Sequence, residues 1–155
     1  MIKTKAVITI TKDHVKEIIK TVSGEGLLTI AMAGGQVVEA YAKINANDVF
    51  SGKATAGGGL TGSIQTIKAE SSATEAWVDV GPTVVYGRIR ELGGTIRPIF
   101  AKMLHWVSDD GEHIFAKVVH QLARPYLRPA LDEHVFDIEN AIKNQIKEVF
   151  AGVLK

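Results

Sequence analysis

The side chains best suited to chemistry in this sequence are five histidines, and none of them stands in a recognised metal-binding spacing. They are His14, His105, His113, His120 and His134. His105 and His113 fall on the two arms of a predicted hairpin and could approach each other across it. We interpret them as an exposed cross-strand pair, because a metal site would need further ligands that this pattern does not supply. The sequence therefore predicts no metal site and no cofactor.

Serines and carboxylates show no catalytic pattern either. No serine occupies a G-x-S-x-G elbow or has a credible base beside it in sequence. The adjacent carboxylates Asp109 and Asp110 fall in a turn, where such residues are usually solvated. We therefore predict no catalytic residue and a protein that is not an enzyme. Because catalytic groups can be distant in sequence, a small hydrolase or ligand-binding domain using the histidines stays open as an alternative.

Arginines gather in one part of the chain, whereas lysine dominates elsewhere. The arginines are Arg88, Arg90, Arg97, Arg124 and Arg128. The planar guanidinium group suits paired hydrogen bonds to carboxylate or phosphate. Three interpretations follow: intramolecular pairing with Glu91, a charged rim at a protein–protein contact, or contact with DNA that passes nearby.

Composition indicates one globular domain covering residues 1–155. Apolar residues make up 46% and charged residues 23%, and the net charge of +1 gives no general reason to expect nucleic acid as a partner. Without cysteine, disulfides and thiolate metal sites are excluded. The most apolar stretch, residues 27–42, is short for a bilayer and carries Gln36 and Glu39, so we predict no membrane association.

The N-terminal half of the sequence is predominantly helical in pattern. The β-branched stretch at residues 5–10 predicts a short strand. Thr11 then caps a helix that ends at Gly24 and Gly26. A second helix is predicted from Leu27 to about Asn47.

Glycines mark two places in this half. Gly34 and Gly35, inside the second helix, indicate that another element packs closely there, since glycine costs about 1 kcal/mol against alanine in a helix. Residues 51–62 are rich in Gly, Ser and Thr and predict a flexible loop. The loop's lysine precedes the glycine cluster, so the pattern does not match a phosphate-binding P-loop.

Strands dominate the middle of the chain. Alternating apolar residues predict strands at 63–70 and 75–82, and a short helix follows at 84–94, ended by Gly93 and Gly94. Asp110-Gly111 then predicts the turn of a hairpin.

The C-terminal pattern is one long helix from about Pro125 to Leu154. Its apolar stripe comprises Leu127, Leu131, Val135, Ile138, Ile142, Ile146, Val149 and Val153. The predicted fold is therefore α+β, with an antiparallel sheet of about four strands packed with N-terminal helices and a long C-terminal helix.

Three ordered motifs, GGLTGSI, YGRIRELGGTIRP and ARPYLRPAL, resemble those of the virion morphogenesis proteins of tailed bacteriophages, the neck or tail-completion family. The match covers roughly residues 40 to 135. The residues that carry the resemblance are Leu60, Thr61 and Gly62 in the first motif, Tyr86, Glu91 and Gly93 in the second, and Arg124, Pro125, Tyr126, Leu127, Pro129 and Ala130 in the third. All of these except Ala130, together with Arg128, are the predicted interface or structural residues.

The resemblance implies a non-catalytic structural protein of the phage neck, required for head–tail joining late in assembly. It would work as a ring oligomer with other neck or tail proteins, in the virion at the head–tail interface or tail end, and in the host cytoplasm during assembly. Transient contact with packaged DNA is also implied. A tail-terminator ring that caps the tail tube is the alternative within the same class.

The third motif has a physical interpretation of its own. Pro125 and Pro129 hold φ near −65° and lack N–H groups, which costs little in the first turn of a helix. They predict a rigid corner where the chain leaves the hairpin and enters the last helix. Glu91 is predicted to brace this corner by pairing with Arg124 or Arg128. The glycine-rich loop is expected to be mobile in the free subunit and to become ordered on assembly.

Overall fold

The structure, a computed structural model, describes residues 23–49, 59–108 and 110–153. The predicted strand at 5–10 and the helix that follows it lie outside these residues, as does most of the predicted loop at 51–62. The helices are α1 Glu25–Val49, α2 Gly59–Ser63, α3 Gly87–Leu92, α4 Leu127–Asp132 and α5 Val135–Val153. The strands are β1 Ile64–Ser71, β2 Ala76–Pro82, β3 Gly94–Ile96, β4 Leu104–Val107, β5 His113–Ala116 and β6 Val119–Gln121.

The α+β class is confirmed, but the strands do not form one four-stranded sheet. Within the described chain they make three two-stranded sheets, β1 with β2, β3 with β6 and β4 with β5. The β4–β5 pair is the predicted hairpin, and its strands run antiparallel. The β3–β6 pair, also antiparallel, is the element that the sequence did not predict. Its strands are three residues each, too short to show an alternating pattern.

The prediction of one long C-terminal helix is wrong in one respect, because the structure has two helices there, α4 and α5, with a break between them. Glu133 closes α4 through a bond from its N–H to the Pro129 carbonyl oxygen. The His134 carbonyl then accepts the Ile138 N–H at 3.0 Å and begins a new helix. Asp137 supplies a negative charge in its first turn, where the helix dipole favours one. Leu131 and Val135 are about half exposed, so the predicted apolar stripe does not continue through the break.

A second correction concerns the end of the predicted glycine-rich loop. Residues 59–63 form helix α2, not loop. Leu60 is buried there, and the Ser63 hydroxyl donates to the Leu60 carbonyl at 2.7 Å. Burial of one large apolar side chain is the stabilising contribution that composition alone does not reveal.

The described residues divide into two compact units. The first unit comprises residues up to 39, 66–80 and from 134 onward, and the second comprises residues 40–65 and 81–133. The single domain covering residues 1–155 stays a prediction.

Close packing of α1 at its two glycines, as the sequence indicated, occurs in the first unit. A Cβ on Gly34 would lie 3.1 Å from the Cδ1 of Ile142, and a Cβ on Gly35 would lie 2.8 Å from a methyl carbon of Val78. Glycine at these positions therefore lets α5 and β2 pack against the backbone of α1.

The buried hydrophobic side chains of the described residues all belong to the second unit. They are Ala42, Ala46, Leu60, Ile64, Tyr126 and Ala130. Tyr126 is the largest of them, so the core of this unit is built around the third sequence motif.

Candidate functional site

The centre of the candidate site is the elbow, which we define as residues 124–130, where the chain passes from β6 into α4. The first four N–H groups of a helix have no partner inside it, and here they would belong to residues 126–129. The Glu91 carboxylate accepts three of them, from Tyr126 at 2.7 Å, Leu127 at 2.9 Å and Arg128 at 3.0 Å. The fourth position is Pro129, which has no N–H to satisfy. Every orphan donor at the start of α4 is therefore accounted for.

This arrangement corrects the predicted partner of Glu91. We expected an ion pair with Arg124 or Arg128, whereas the carboxylate binds backbone N–H groups. The Arg128 guanidinium instead lies 3.5 Å from Asp132 and is 83% exposed. The Arg124 guanidinium donates to the Val49 carbonyl at 3.4 Å. Glu91 does brace the elbow, but it does so as a remote helix cap.

Tyr126 anchors the elbow to two other elements of the second unit. Its ring is fully buried, and its hydroxyl donates to the Gly87 carbonyl at 3.2 Å. Its own carbonyl accepts a bond from the Asn45 side-chain amide at 3.1 Å. Burial, and after it the negative charge of Glu91, raises the pKa of Tyr126 to about 12. The phenol is therefore a neutral donor in the folded protein.

Two glycines allow α3 and the strand that follows it to approach the elbow. A Cβ on Gly87 would collide with the ring of Pro82 and lie 3.2 Å from the Tyr126 hydroxyl. A Cβ on Gly93, which has φ +70°, would lie 2.7 Å from the backbone nitrogen of Ala123. The Arg124 N–H donates to the Arg90 carbonyl at 2.9 Å and closes the same contact.

The first motif joins the elbow through the last turns of α1. The Thr61 hydroxyl donates to the Asn47 side chain at 3.0 Å, while Asn45, one half-turn earlier, binds the Tyr126 carbonyl. Leu60 is buried and Gly62 is exposed. All three sequence motifs thus meet within the second unit, the second and third directly and the first by way of α1.

Three residues of this arrangement were missed in the sequence: Asn45, Pro82 and Gly87. Asn45 carried a usable signal, since asparagine is a poor helix former and its presence within a helix suggests a specific side-chain bond. Pro82 and Gly87 carried none, because a contact between a ring and a glycine depends on how two elements cross.

The histidine pair occurs as the sequence predicted. The Nε2 of His105 and the Nδ1 of His113 are 2.8 Å apart, in rings whose planes differ by 4° and whose centres are 5.1 Å apart. The ring of Phe115 stacks on His105 with 4.7 Å between centres. His120 lies elsewhere, on β6, where its Nδ1 is 3.1 Å from the Thr95 hydroxyl. Over the described residues, no group of three or more His, Asp or Glu side chains could hold a metal ion.

Large apolar side chains are exposed at many places in the second unit. Those that are at least half exposed are Ile44, Val85, Leu92, Ile99, Phe100, Val107, Phe115, Leu122 and Leu131. Val85 and Phe100 are fully exposed. Val85 lies in the turn that leads into α3 and Leu92 is the last residue of that helix, so an exposed apolar side chain stands near each end of it.

A scan against protein-family models finds no match for this chain, and searches of curated proteins and of solved structures return no significant similarity. Across residues 23–49, 59–108 and 110–153, no helix is both long and apolar enough to cross a membrane.

Proposed function

We propose that this protein is a structural subunit of a tailed-phage neck or tail-completion assembly, which forms a ring and is required for head–tail joining. The observation that carries the proposal is the number of exposed large apolar side chains in the second unit. Exposed apolar side chains that form a contiguous patch mark sites of protein–protein contact, so the proposal takes the exposed side chains of this unit to form such a patch. The partners are further copies of the chain and other neck or tail proteins in the virion.

The proposed ring explains why the elbow should be rigid. In a ring, each subunit repeats the angle between its two contact surfaces, so a small error in one subunit accumulates around the circle. The three bonds to Glu91 and the buried ring of Tyr126 hold α4 in one orientation relative to α3 within the second unit. Val85 and Leu92, exposed near the two ends of α3, would then be presented to a neighbouring subunit in a fixed position.

The exposed arginines fit the edge of such a surface. Arg88, Arg97, Arg124 and Arg128 are all exposed. Arginine is enriched at protein–protein interfaces, where it pairs with carboxylates. With a net charge of only +1, contact with packaged DNA is proposed as transient and local to these arginines.

The proposal is tested first on the purified full chain, by light scattering after size exclusion over a wide range of concentration. We expect a defined oligomer that forms as concentration rises. A strict monomer at every concentration would contradict the ring.

The phage role is tested separately, in particles produced without this protein. We expect DNA-filled heads and finished tails to accumulate unjoined, and added protein to restore joining. If tails instead grow to abnormal lengths, the tail-terminator role replaces the neck role. Normal virions formed without the protein would rule out both.

A further inference from the structure

We propose that His105 and His113 form an open, two-ligand site for a divalent transition-metal ion on the outer face of the β4–β5 hairpin. This inference does not depend on the proposed phage role. The hairpin register pairs His105 with Phe115 and Val107 with His113, so all four side chains lie on one face of the two-stranded sheet. Each of the four is exposed, so an ion reaches the histidines directly from solvent.

The spacing of the two nitrogens matches that of adjacent ligands on one metal ion. Two imidazole nitrogens at the usual bond length of about 2.0–2.1 Å, at the angles of square-planar or tetrahedral coordination, are about 2.9–3.4 Å apart. In the structure His105 Nε2 and His113 Nδ1 are 2.8 Å apart. The ring centres are 5.1 Å apart in nearly parallel rings, so the two nitrogens point at each other along one line. Each exposed ring must therefore turn by roughly 35–45° before both lone pairs meet at one ion.

The protonation change that binding requires is small. In the hydrogen bond, one neutral ring donates an N–H and the other accepts it with a lone pair. When the donor ring moves its proton to its other nitrogen, two lone pairs face the same gap. The ion then takes both lone pairs, and the neutral rings release no proton.

Two features of the hairpin favour a cation at this place. Phe115 stacks on the ring of His105 and supports one face of it, while the ring can still turn within its own plane. Asp110 and Glu112 stand in or beside the exposed turn next to His113 and contribute negative charge. Water would fill the remaining coordination positions, so this open site binds more weakly than metal sites with three or four protein ligands, which the described residues do not form.

Imidazole nitrogen selects the class of metal. Copper, nickel and zinc ions prefer such ligands and magnesium and calcium prefer oxygen, so Cu²⁺ is expected to bind most tightly of the divalent ions and Mg²⁺ not at all. The nearby Trp106, on the same strand, is expected to report Cu²⁺ or Ni²⁺ by loss of its fluorescence.

The experiment titrates Cu²⁺ and Ni²⁺ into the full chain, followed by calorimetry and by tryptophan fluorescence. The variants are His105→Ala and His113→Ala, and His120→Ala is the matched control, since it removes an exposed histidine of another sheet. We expect each of the first two to weaken binding about tenfold or more, because the second ligand no longer acts intramolecularly. The control should bind as the parent does.

The same variants are unfolded without metal to show that each one folds. The proposal is overturned if the parent binds no Cu²⁺, or if His105→Ala and His113→Ala bind it as tightly as the parent.

Discussion

At the scale of single residues, Glu91 does more than any other side chain to fix the elbow. One carboxylate satisfies three backbone donors at distances of 2.7 to 3.0 Å. Bonds of this kind are stronger than neutral ones because the acceptor is charged. Most helix caps come from the residue just before the helix, whereas this one comes from 35 to 37 residues earlier in the chain.

Glu91→Gln should destabilise the protein by about 1–2 kcal/mol. The amide is neutral, and its NH₂ group would face backbone donors that need an acceptor. The free energy of unfolding, measured in urea, checks this. Glu148→Gln on the exposed side of α5 is the control and should change it by less than about 0.5 kcal/mol. Equal effects of the two substitutions would show that the cap is not stabilising.

Tyr126 makes the free energy of unfolding depend on pH in the alkaline range. Its pKa is raised to about 12 from an ordinary value of 10.0, chiefly by burial and then by the charge of Glu91. Between these two values the unfolded chain loses the phenol proton and the folded chain keeps it. The contribution of Tyr126 to the free energy of unfolding is therefore fully present below pH 10. It falls by on the order of 2 kcal/mol as pH rises through about 12.

The measurement compares unfolding free energies of the parent and Tyr126→Phe from pH 9 to 12. At pH 9 the variant should be less stable by about 1 kcal/mol, because the Gly87 carbonyl loses its donor. The parent should lose more stability than the variant as pH rises, so the gap closes and the variant becomes the more stable of the two near pH 12. Parallel curves would contradict the burial of this phenol.

At the scale of elements, the closeness of β3 to the elbow depends on the absence of a side chain at Gly93. Both Gly93 and Gly111 have positive φ, at 70° and 83°, but only Gly93 faces other backbone. Gly111 has nothing within 4 Å of where a Cβ would lie. Gly93 also has ψ 179°, a conformation that is essentially restricted to glycine, so a side chain there meets both backbone strain and collision, whereas one at Gly111 meets strain alone.

Gly111→Ala should cost about 1 kcal/mol, the strain of a left-handed conformation alone. Gly93→Ala should cost at least about 2 kcal/mol more, because the backbone of Ala123 cannot move aside without breaking the β3–β6 pairing. Thermal unfolding of both variants checks the difference. Similar losses would mean that the elbow tolerates displacement.

Elements with a clear period were predictable from the sequence, and contacts between them were not. The apolar spacing along α1 and the Asp110-Gly111 turn of the hairpin each gave the right element. The break after α4 was hidden because the apolar residues keep helical spacing through it. Glu91 was identified as the brace of the elbow, but its partners are backbone atoms, and backbone donors leave no trace in a sequence.

At the scale of the whole molecule, the proposed assembly must bury the apolar surface that a single subunit leaves exposed. Phe100 is fully exposed in the second unit, and Phe136, which is 73% exposed, belongs to the first unit. Phe100 and Phe115 thus lie in the unit that is proposed for subunit contact, and Phe136 lies outside it.

Phe100→Ser should weaken oligomer formation about tenfold or more, while leaving the stability of the subunit unchanged within about 0.5 kcal/mol. Phe136→Ser is the matched control and should leave the oligomer intact. Sedimentation at several concentrations measures both. If the two variants assemble alike, Phe100 is not at the contact.

The cap at α4 also determines which residues at the elbow tolerate substitution. The donors are N–H groups that any residue except proline supplies, so Leu127 and Arg128 could be exchanged for other residues and the three bonds would remain. Glu91 cannot be exchanged in this way, since a single substitution there removes the acceptor of all three hydrogen bonds. Among descendants of this gene, Leu127 and Arg128 of the third motif should therefore vary, whereas Glu91, which lies far upstream of that motif, should stay the same.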